Sequence, residues 1–195
     1  MTRRIVILDM MDTILADPYR EAIEAGTGRG LDELRPLLLG TRWPDFECNR
    51  ITEQEYLAAF DDAGIELDRQ AFHQARREGY AWVAGMDRLI DDLRRHVEVV
   101  IASNYPDWLD DVADEWFRAR VDGVIGSCHL GERKPDRAFF DGVLAWLDAP
   151  AEATWFVDDR PHNVEAAAAL GMRAHRFTTA EAVRAWLSDE GVLPT

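Results

Sequence analysis

The sequence predicts an α/β protein: a doubly wound, Rossmann-like parallel sheet carrying a small all-helical insertion after its first strand. Short apolar runs alternate along the chain with stretches of helical period, which implies βαβ units with helices on both sheet faces. The first of these runs ends abruptly in an aspartate, as a buried strand does when it delivers a carboxylate to its C-terminal edge. One long stretch, from Pro18 to Val83, breaks the alternation and reads as helical throughout.

The strand-like runs are Ile5–Leu8, Val97–Ala102, Val121–Ile125, Thr154–Val157 and Ala174–Phe177. Amphipathic helical stretches cover Asp87–Arg95, Pro106–Arg118, Pro135–Leu147, Arg160–Leu170 and Ala180–Ser188. Right-handed crossovers follow, and a site is expected beyond the C-terminal strand ends. Within the insertion, Thr52-Glu53-Gln54-Glu55 matches a capping box opening a helix over Glu53–Ala63, which Gly64 stops. Asp68 starts another helix, reaching about Trp82. The expected division is a core of residues 1–16 and 84–195 with a helical cap of residues 17–83, placed over the strand ends as a lid. The tryptophans at 82, 108, 116, 146, 155 and 186 fall on core positions of these elements.

At 195 residues, 47% hydrophobic and 30% charged, the chain can bury a sizeable core. Its net charge of −15 would repel a nucleic-acid duplex or an anionic membrane surface, so neither is an expected partner. An anionic substrate would need a metal or a local cation to offset that field. No secretory leader and no run of 18 apolar residues is apparent, so a soluble, cytoplasmic protein is expected. Cys48 and Cys128 lack metal-ligand spacing and read as buried free thiols. Lys and Arg total 22, and Lys134 is the sole lysine. In a chain that uses arginine elsewhere, that lysine is either a chance surface residue or marks a place for a compact ammonium.

Four polar positions share the predicted strand ends or the loops beside them: Asp9, Ser103-Asn104, Lys134-Pro135 and Asp158-Asp159. Singly each is ordinary, since Ser-Asn and Asp-Asp after a strand commonly cap the next helix. Together their chemistry interlocks. Three carboxylates beside one ammonium repel one another unless a cation shares the site, and hard oxygen ligands suit Mg²⁺. Phosphoryl transfer uses this set: a carboxylate nucleophile, Mg²⁺ on the nonbridging oxygens, a lysine, and hydroxyl and amide donors around the phosphate.

With LDMMDT, SN, RKP and VDDRPHNVEAAAALGM in this order, the chain resembles the haloacid dehalogenase superfamily, whose members are mostly phosphatases. The insertion resembles the family's small helical cap. NRITEQEYLAAF is similar to the cap of small sugar-phosphate phosphatases and of the phosphatase domain of soluble epoxide hydrolases. The resemblance implies a nucleophilic Asp9 and phosphate binding by Ser103 and Lys134. It also implies Mg²⁺ held by Asp9, the Met11 carbonyl, and Asp158 and/or Asp159, with Asn163 orienting the acidic pair. A small phosphorylated metabolite is the implied substrate. Cap residues would read its remainder, and Arg42 and Trp43, with Arg20 and Arg50, are the candidates.

One position departs from the family pattern. Phosphatases of the family carry a second aspartate two residues after the nucleophile, as general acid and base. Here that position is Met11, and the carboxylate comes one residue late, at Asp12, where the family usually has glycine. Thr13 is back in register. Acid–base catalysis is worth about 10²–10⁴-fold, so four readings stay open. Asp12 or another group, His162 among them, supplies the proton; the substrate has a good leaving group; the protein is a dehalogenase-like branch; or it binds a phosphorylated ligand or a protein without turnover. Family dehalogenases also lack the second aspartate but need no metal and lack the Asp158-Asp159 pair. Phosphonate-cleaving relatives use a cap lysine, which is missing here.

Overall fold

A computed structural model describes residues 3–38 and 42–194. β1 (Ile5–Leu8) lies at the centre of a five-stranded parallel sheet with β2 (Glu98–Ser103), β3 (Gly123–Gly126), β4 (Thr154–Asp158) and β5 (Arg173–Arg176), in the order β3-β2-β1-β4-β5. Each predicted strand is present, within two residues of its expected ends. The register sets Leu8 beside Ile101 of β2 and Val157 of β4, so the next residue, Asp9, emerges between two strand ends. The chain passes from β1 to one side of the sheet and later returns to the other, which makes this point the switch where open α/β sheets bind ligands.

The strands are apolar on both faces because both faces are covered. Val6 and Leu8 join a cluster with Val99, Ile101 and Leu89, whereas Ile5 and Ile7 join one with Val100, Phe139 and Phe156.

Between β1 and β2 the chain forms α1 (Tyr19–Thr27), α2 (Leu31–Leu38), α3 (Arg42–Glu47), α4 (Glu53–Asp62), α5 (Arg69–Glu78) and α6 (Met86–Leu93). The capping box closes as read: the Glu55 N–H donates to Thr52 Oγ1 (3.2 Å), and the Thr52 N–H to Glu55 Oε2 (2.8 Å). Phe46 and Phe72 of the insertion pack on Trp108, which follows β2, with Tyr56 stacked on Phe46 and Tyr19 edge-on to Phe72.

α5 ends at Glu78, short of the predicted Trp82, because the chain is needed elsewhere. The Ala16 N–H donates to Ala81 O and the Val83 N–H to Ile14 O, both at 2.9 Å. Leu15 and Trp82 face each other in an antiparallel bridge. The outgoing and returning segments are thus stitched together where they cross.

After β2 come α7 (Trp108–Val112), α8 (Ser127–Leu130), α9 (Arg137–Leu147), α10 (Pro161–Ala169) and α11 (Ala180–Asp189). The helix expected over Pro106–Arg118 starts later and changes pitch: α7 continues as a π-helical turn over Ala113–Phe117, closed by the Arg118 N–H on Ala113 O at 2.8 Å. Trp146 departs from its expected core position. It is 46% exposed, with its ring over Gly123, where an added Cβ would meet it at 2.5 Å. It shields the edge strand β3 instead of filling the core. Cys48 and Cys128 are buried free thiols. No helix among the described residues is long and apolar enough to cross a membrane.

Candidate active site

The strand ends bring Asp9, Ser103 and Asp158 to one sheet edge, and the loop before α9 delivers Lys134 onto them. Asp9 continues the sheet for one residue: its N–H donates to Val157 O at 2.9 Å. Ser103 ends β2, and its hydroxyl makes no hydrogen bond among the described residues while lining a cavity. Asn104 grips the lysine loop from both sides, its Nδ2 donating to Lys134 O (2.9 Å) and its Oδ1 accepting the Lys134 N–H (2.8 Å). Asn104 also lines the cavity, but its amide is committed to placing Lys134.

Lys134 is 2% exposed, and all three ammonium protons have partners: Asp9 Oδ1 at 2.6 Å, Asp158 Oδ2 at 2.7 Å and Ala102 O at 2.9 Å. Burial alone would lower its pKa. The Asp9 and Asp158 carboxylates outweigh that and raise it, so the ammonium stays charged. Asn163, one turn into α10, spreads its Nδ2 over both oxygens of Asp158 (2.9 and 3.0 Å), and the Arg160 N–H adds a third bond. Its contact is with Asp158 rather than with the pair.

Asp9, Asp158 and Asp159 each offer an oxygen within 4.8 Å of the others. Burial pushes the Asp9 carboxyl up to about 7; Lys134 opposes the rise, and Asp158 and Asp159 add to it. Asp159 is raised likewise, first by burial and then by Asp158. Three carboxylates against one ammonium make a donor set of hard oxygens whose excess negative charge a divalent cation such as Mg²⁺ would relieve. The residues present fit that ion.

After Asp9 the chain makes a tight loop in which the Ile14 and Leu15 N–H groups both turn back to Met10 O. Asp12 sits at φ +58°, the left-handed region that glycine enters freely and aspartate tolerates. Its side chain is exposed, and Oδ1 accepts the Asp17 N–H at 3.3 Å. Met11 is half-buried and lines the cavity.

The cavity, of about 460 Å³, lies between the sheet edge and the helical insertion. Trp43 lines it, 4.4 Å from the Tyr19 ring and with its indole N–H on Glu47 Oε1 at 2.6 Å. Arg20 lines it too and is paired with Asp32 at 3.2 Å. Arg42 is a correction to the expectation: it does not line the cavity, and its guanidinium reaches the Glu55 carbonyl (3.2 Å) and Asp62 (3.6 Å) on α4. Neighbouring positions on a helix point about 100° apart, so Trp43 and Arg42 cannot share one face. Arg50 also turns away, to Gly131 O at 2.9 Å. His162 lines the cavity and is exposed.

Several lining residues escaped the sequence reading: Asp17, Arg35, Glu47, Tyr105, Arg133 and Arg160. Arg133 and Arg160 sit one residue from recognised positions, the one signal that could have found them. Glu47 is buried, held by Trp43 and by Arg133 Nε at 2.8 Å. Burial raises its carboxyl, and Arg133 and the indole N–H pull it down.

A sequence profile described as haloacid dehalogenase-like hydrolase matches residues 4–171. Flavin mononucleotide hydrolase 1 of Arabidopsis thaliana is 32% identical over 190 residues, spanning 96% of this chain and 78% of that protein. A sesquiterpene phosphatase of Aspergillus oryzae is 38% identical over 94 residues, 46% of this chain and 47% of its own. The crystal structure of a HAD family enzyme from Bacteroides thetaiotaomicron, in complex with magnesium and inorganic phosphate, is similar with a TM-score of 0.77 at 16% identity, over 91% of this chain and 95% of the other. L-2-haloacid dehalogenase of Xanthobacter autotrophicus gives 0.67 at 21%, over 98% and 85%. At such identities the structural likenesses speak for the fold. The profile and the plant relative go further and establish the family: this chain belongs to the haloacid dehalogenase-like hydrolases.

Proposed function

We propose that the protein is a Mg²⁺-dependent phosphatase that acts on a small phosphorylated metabolite through an aspartyl-phosphate on Asp9. The observation that carries this reading is the join made by Lys134, which lines the cavity together with Asp9 and holds one oxygen of Asp9 and one of Asp158, buried behind them. Asp9 Oδ2 accepts no hydrogen bond among the described residues, so it is the oxygen left to attack phosphorus. The Asp9 Oδ2–P bond forms as the ester P–O bond breaks, and the leaving oxygen takes a proton. Water then attacks the phosphorus, breaking the Asp9 O–P bond and releasing inorganic phosphate. Lys134 and the Ser103 hydroxyl stabilise charge on the transferring group. A Mg²⁺ held by Asp9, the Met11 carbonyl, Asp158 and Asp159 would neutralise the nonbridging oxygens.

The substrate falls among phosphate monoesters with a body that reaches the Tyr19–Trp43 wall, in keeping with relatives named for flavin mononucleotide and sesquiterpene substrates. Met11 favours a second reading, binding of a phosphorylated ligand without turnover. A panel of acetyl phosphate, p-nitrophenyl phosphate, a sugar phosphate and flavin mononucleotide separates the two. We expect phosphate release that EDTA and Asp9→Asn both abolish. Mg²⁺-dependent binding of the same compounds with no release from any would favour the second reading. Burst release of the alcohol with Asp9 unphosphorylated would sink the mechanism.

A further inference from the structure

Resting on the phosphatase reading, a gap remains at the leaving oxygen: the thioether of Met11 cannot transfer a proton. Apart from Asp9, the carboxylates and the histidine that line the cavity are Asp12, Asp17, Glu47 and His162. Glu47 has both oxygens committed, to Trp43 and Arg133. His162 is solvated at the start of α10. Asp12 is exposed on its left-handed turn. Asp17 differs from all of them. It follows the stitched crossing at Ala16–Ala81, which fixes its backbone, and it is half-buried in the cavity wall. Oδ1 accepts the Tyr19 N–H at 3.0 Å, while Oδ2 accepts no hydrogen bond among the described residues.

We infer that Asp17 is the general acid and base of this site, protonating the leaving oxygen as Asp9 attacks and then taking a proton from the water that cleaves the aspartyl-phosphate. The proton returns to Asp17 in the second step, so the cycle balances without another reactant. Its surroundings suit the task. Burial pushes the Asp17 carboxyl up to about 6; the Tyr19 N–H and Arg160 pull it down, and Asp12 and Glu21 push it further up. Tyr19, Tyr80 and Tyr105 also lie within its field, and all three phenols are held protonated by burial. A carboxyl in this range exists in both forms near neutrality, as a group that alternates between acid and base must.

The test is a leaving-group series on Asp17→Asn, with acetyl phosphate, p-nitrophenyl phosphate and glycerol phosphate as probes and Mg²⁺ present. We expect the loss to grow with the basicity of the leaving group, reaching about 10²–10⁴-fold in kcat on glycerol phosphate. With acetyl phosphate the variant should form phosphoenzyme and hydrolyse it slowly, so that intact mass shows it accumulating. The limb of the pH–rate profile near 6 should vanish. Met11→Asp placed in the Asp17→Asn background should restore glycerol phosphate turnover, which separates lost chemistry from lost folding. Unaltered leaving-group dependence and an unaltered pH limb in Asp17→Asn overturn the inference, and so does the same series of losses appearing in Asp12→Asn instead. If the unaltered protein forms no phosphoenzyme from any probe, the phosphatase reading fails and takes the inference with it.

Discussion

The two walls of the cavity are held in different ways. On the sheet side Asp9, Ser103, Lys134 and Asp158 are between 0 and 7% exposed, and the lysine has a partner for each proton. On the helical side Arg20 and Arg35 are exposed and spend their charge on one shared carboxylate, Asp32. Exposed pairs of that kind are worth about 0–1 kcal/mol, whereas a buried charge left without its partner costs several times more. The sheet wall therefore cannot vary a side chain without losing the site, and the helical wall can. On the proposed function, reaction chemistry belongs to the first wall and discrimination between substrates to the second.

Lys134→Ala tests the rigid wall most harshly, because it strands Asp9 and Asp158 together. We expect a loss of about 3–5 kcal/mol in urea denaturation of the metal-free protein, partly recovered on adding Mg²⁺. A loss below about 1 kcal/mol would mean that the ammonium is not the counter-ion the geometry suggests.

Asp17 stands where the walls meet, and its effect on stability depends on pH. Its folded-state pKa of about 6 lies above the ordinary carboxylate value, so the folded chain keeps a proton that the unfolded chain sheds between the two. The stability from this group is full below the ordinary value and is lost as pH rises through 6. Asp17→Asn has no such proton to lose. It should be the more stable protein at pH 8, by at most about 3 kcal/mol, and the difference should shrink towards pH 4. A constant difference across that range would contradict the assignment of the shift to the folded state.

Glu47→Gln breaks the ion pair with Arg133 that joins the helical wall to the lysine loop. A cost of about 1.5–3 kcal/mol is expected, with KM rising more than kcat falls, because the contact positions the insertion and not the reacting atoms. The opposite split would move Glu47 to the chemical side of the comparison. Thr52→Ala should have the smallest effect. It removes a cap on the outer part of the insertion, costing about 1 kcal/mol by thermal melting and leaving kcat unchanged.

The same contrast governs what could be read from the chain alone. Asp9, Ser103 and Asp158 were legible because an apolar run ending in a polar residue places that residue at a sheet edge, and a parallel sheet then gathers such edges together; Lys134 was legible as the sole lysine, in a motif loop beside them. Thr52 was legible because a capping box is a local pattern. Arg42 was misplaced because periodicity identifies a helix without saying which way it faces. Asp17 was missed because nothing in ADPY marks the crossing that holds it; the Ala16–Ala81 and Ile14–Val83 bonds link segments far apart in sequence. The early end of α5 has the same origin, since helical pattern through Trp82 yields to that pairing.

Lys134 has a consequence for how the molecule can be observed. As the sole lysine of the chain, it supplies one ε-amino group per molecule, buried and bonded three times over. An acylating reagent such as acetic anhydride can take that side chain only in moments when the sheet edge comes apart. The rate of its modification, followed by peptide mass, is therefore a clock for opening of the site, and it should run slower with Mg²⁺ and a phosphate analogue bound.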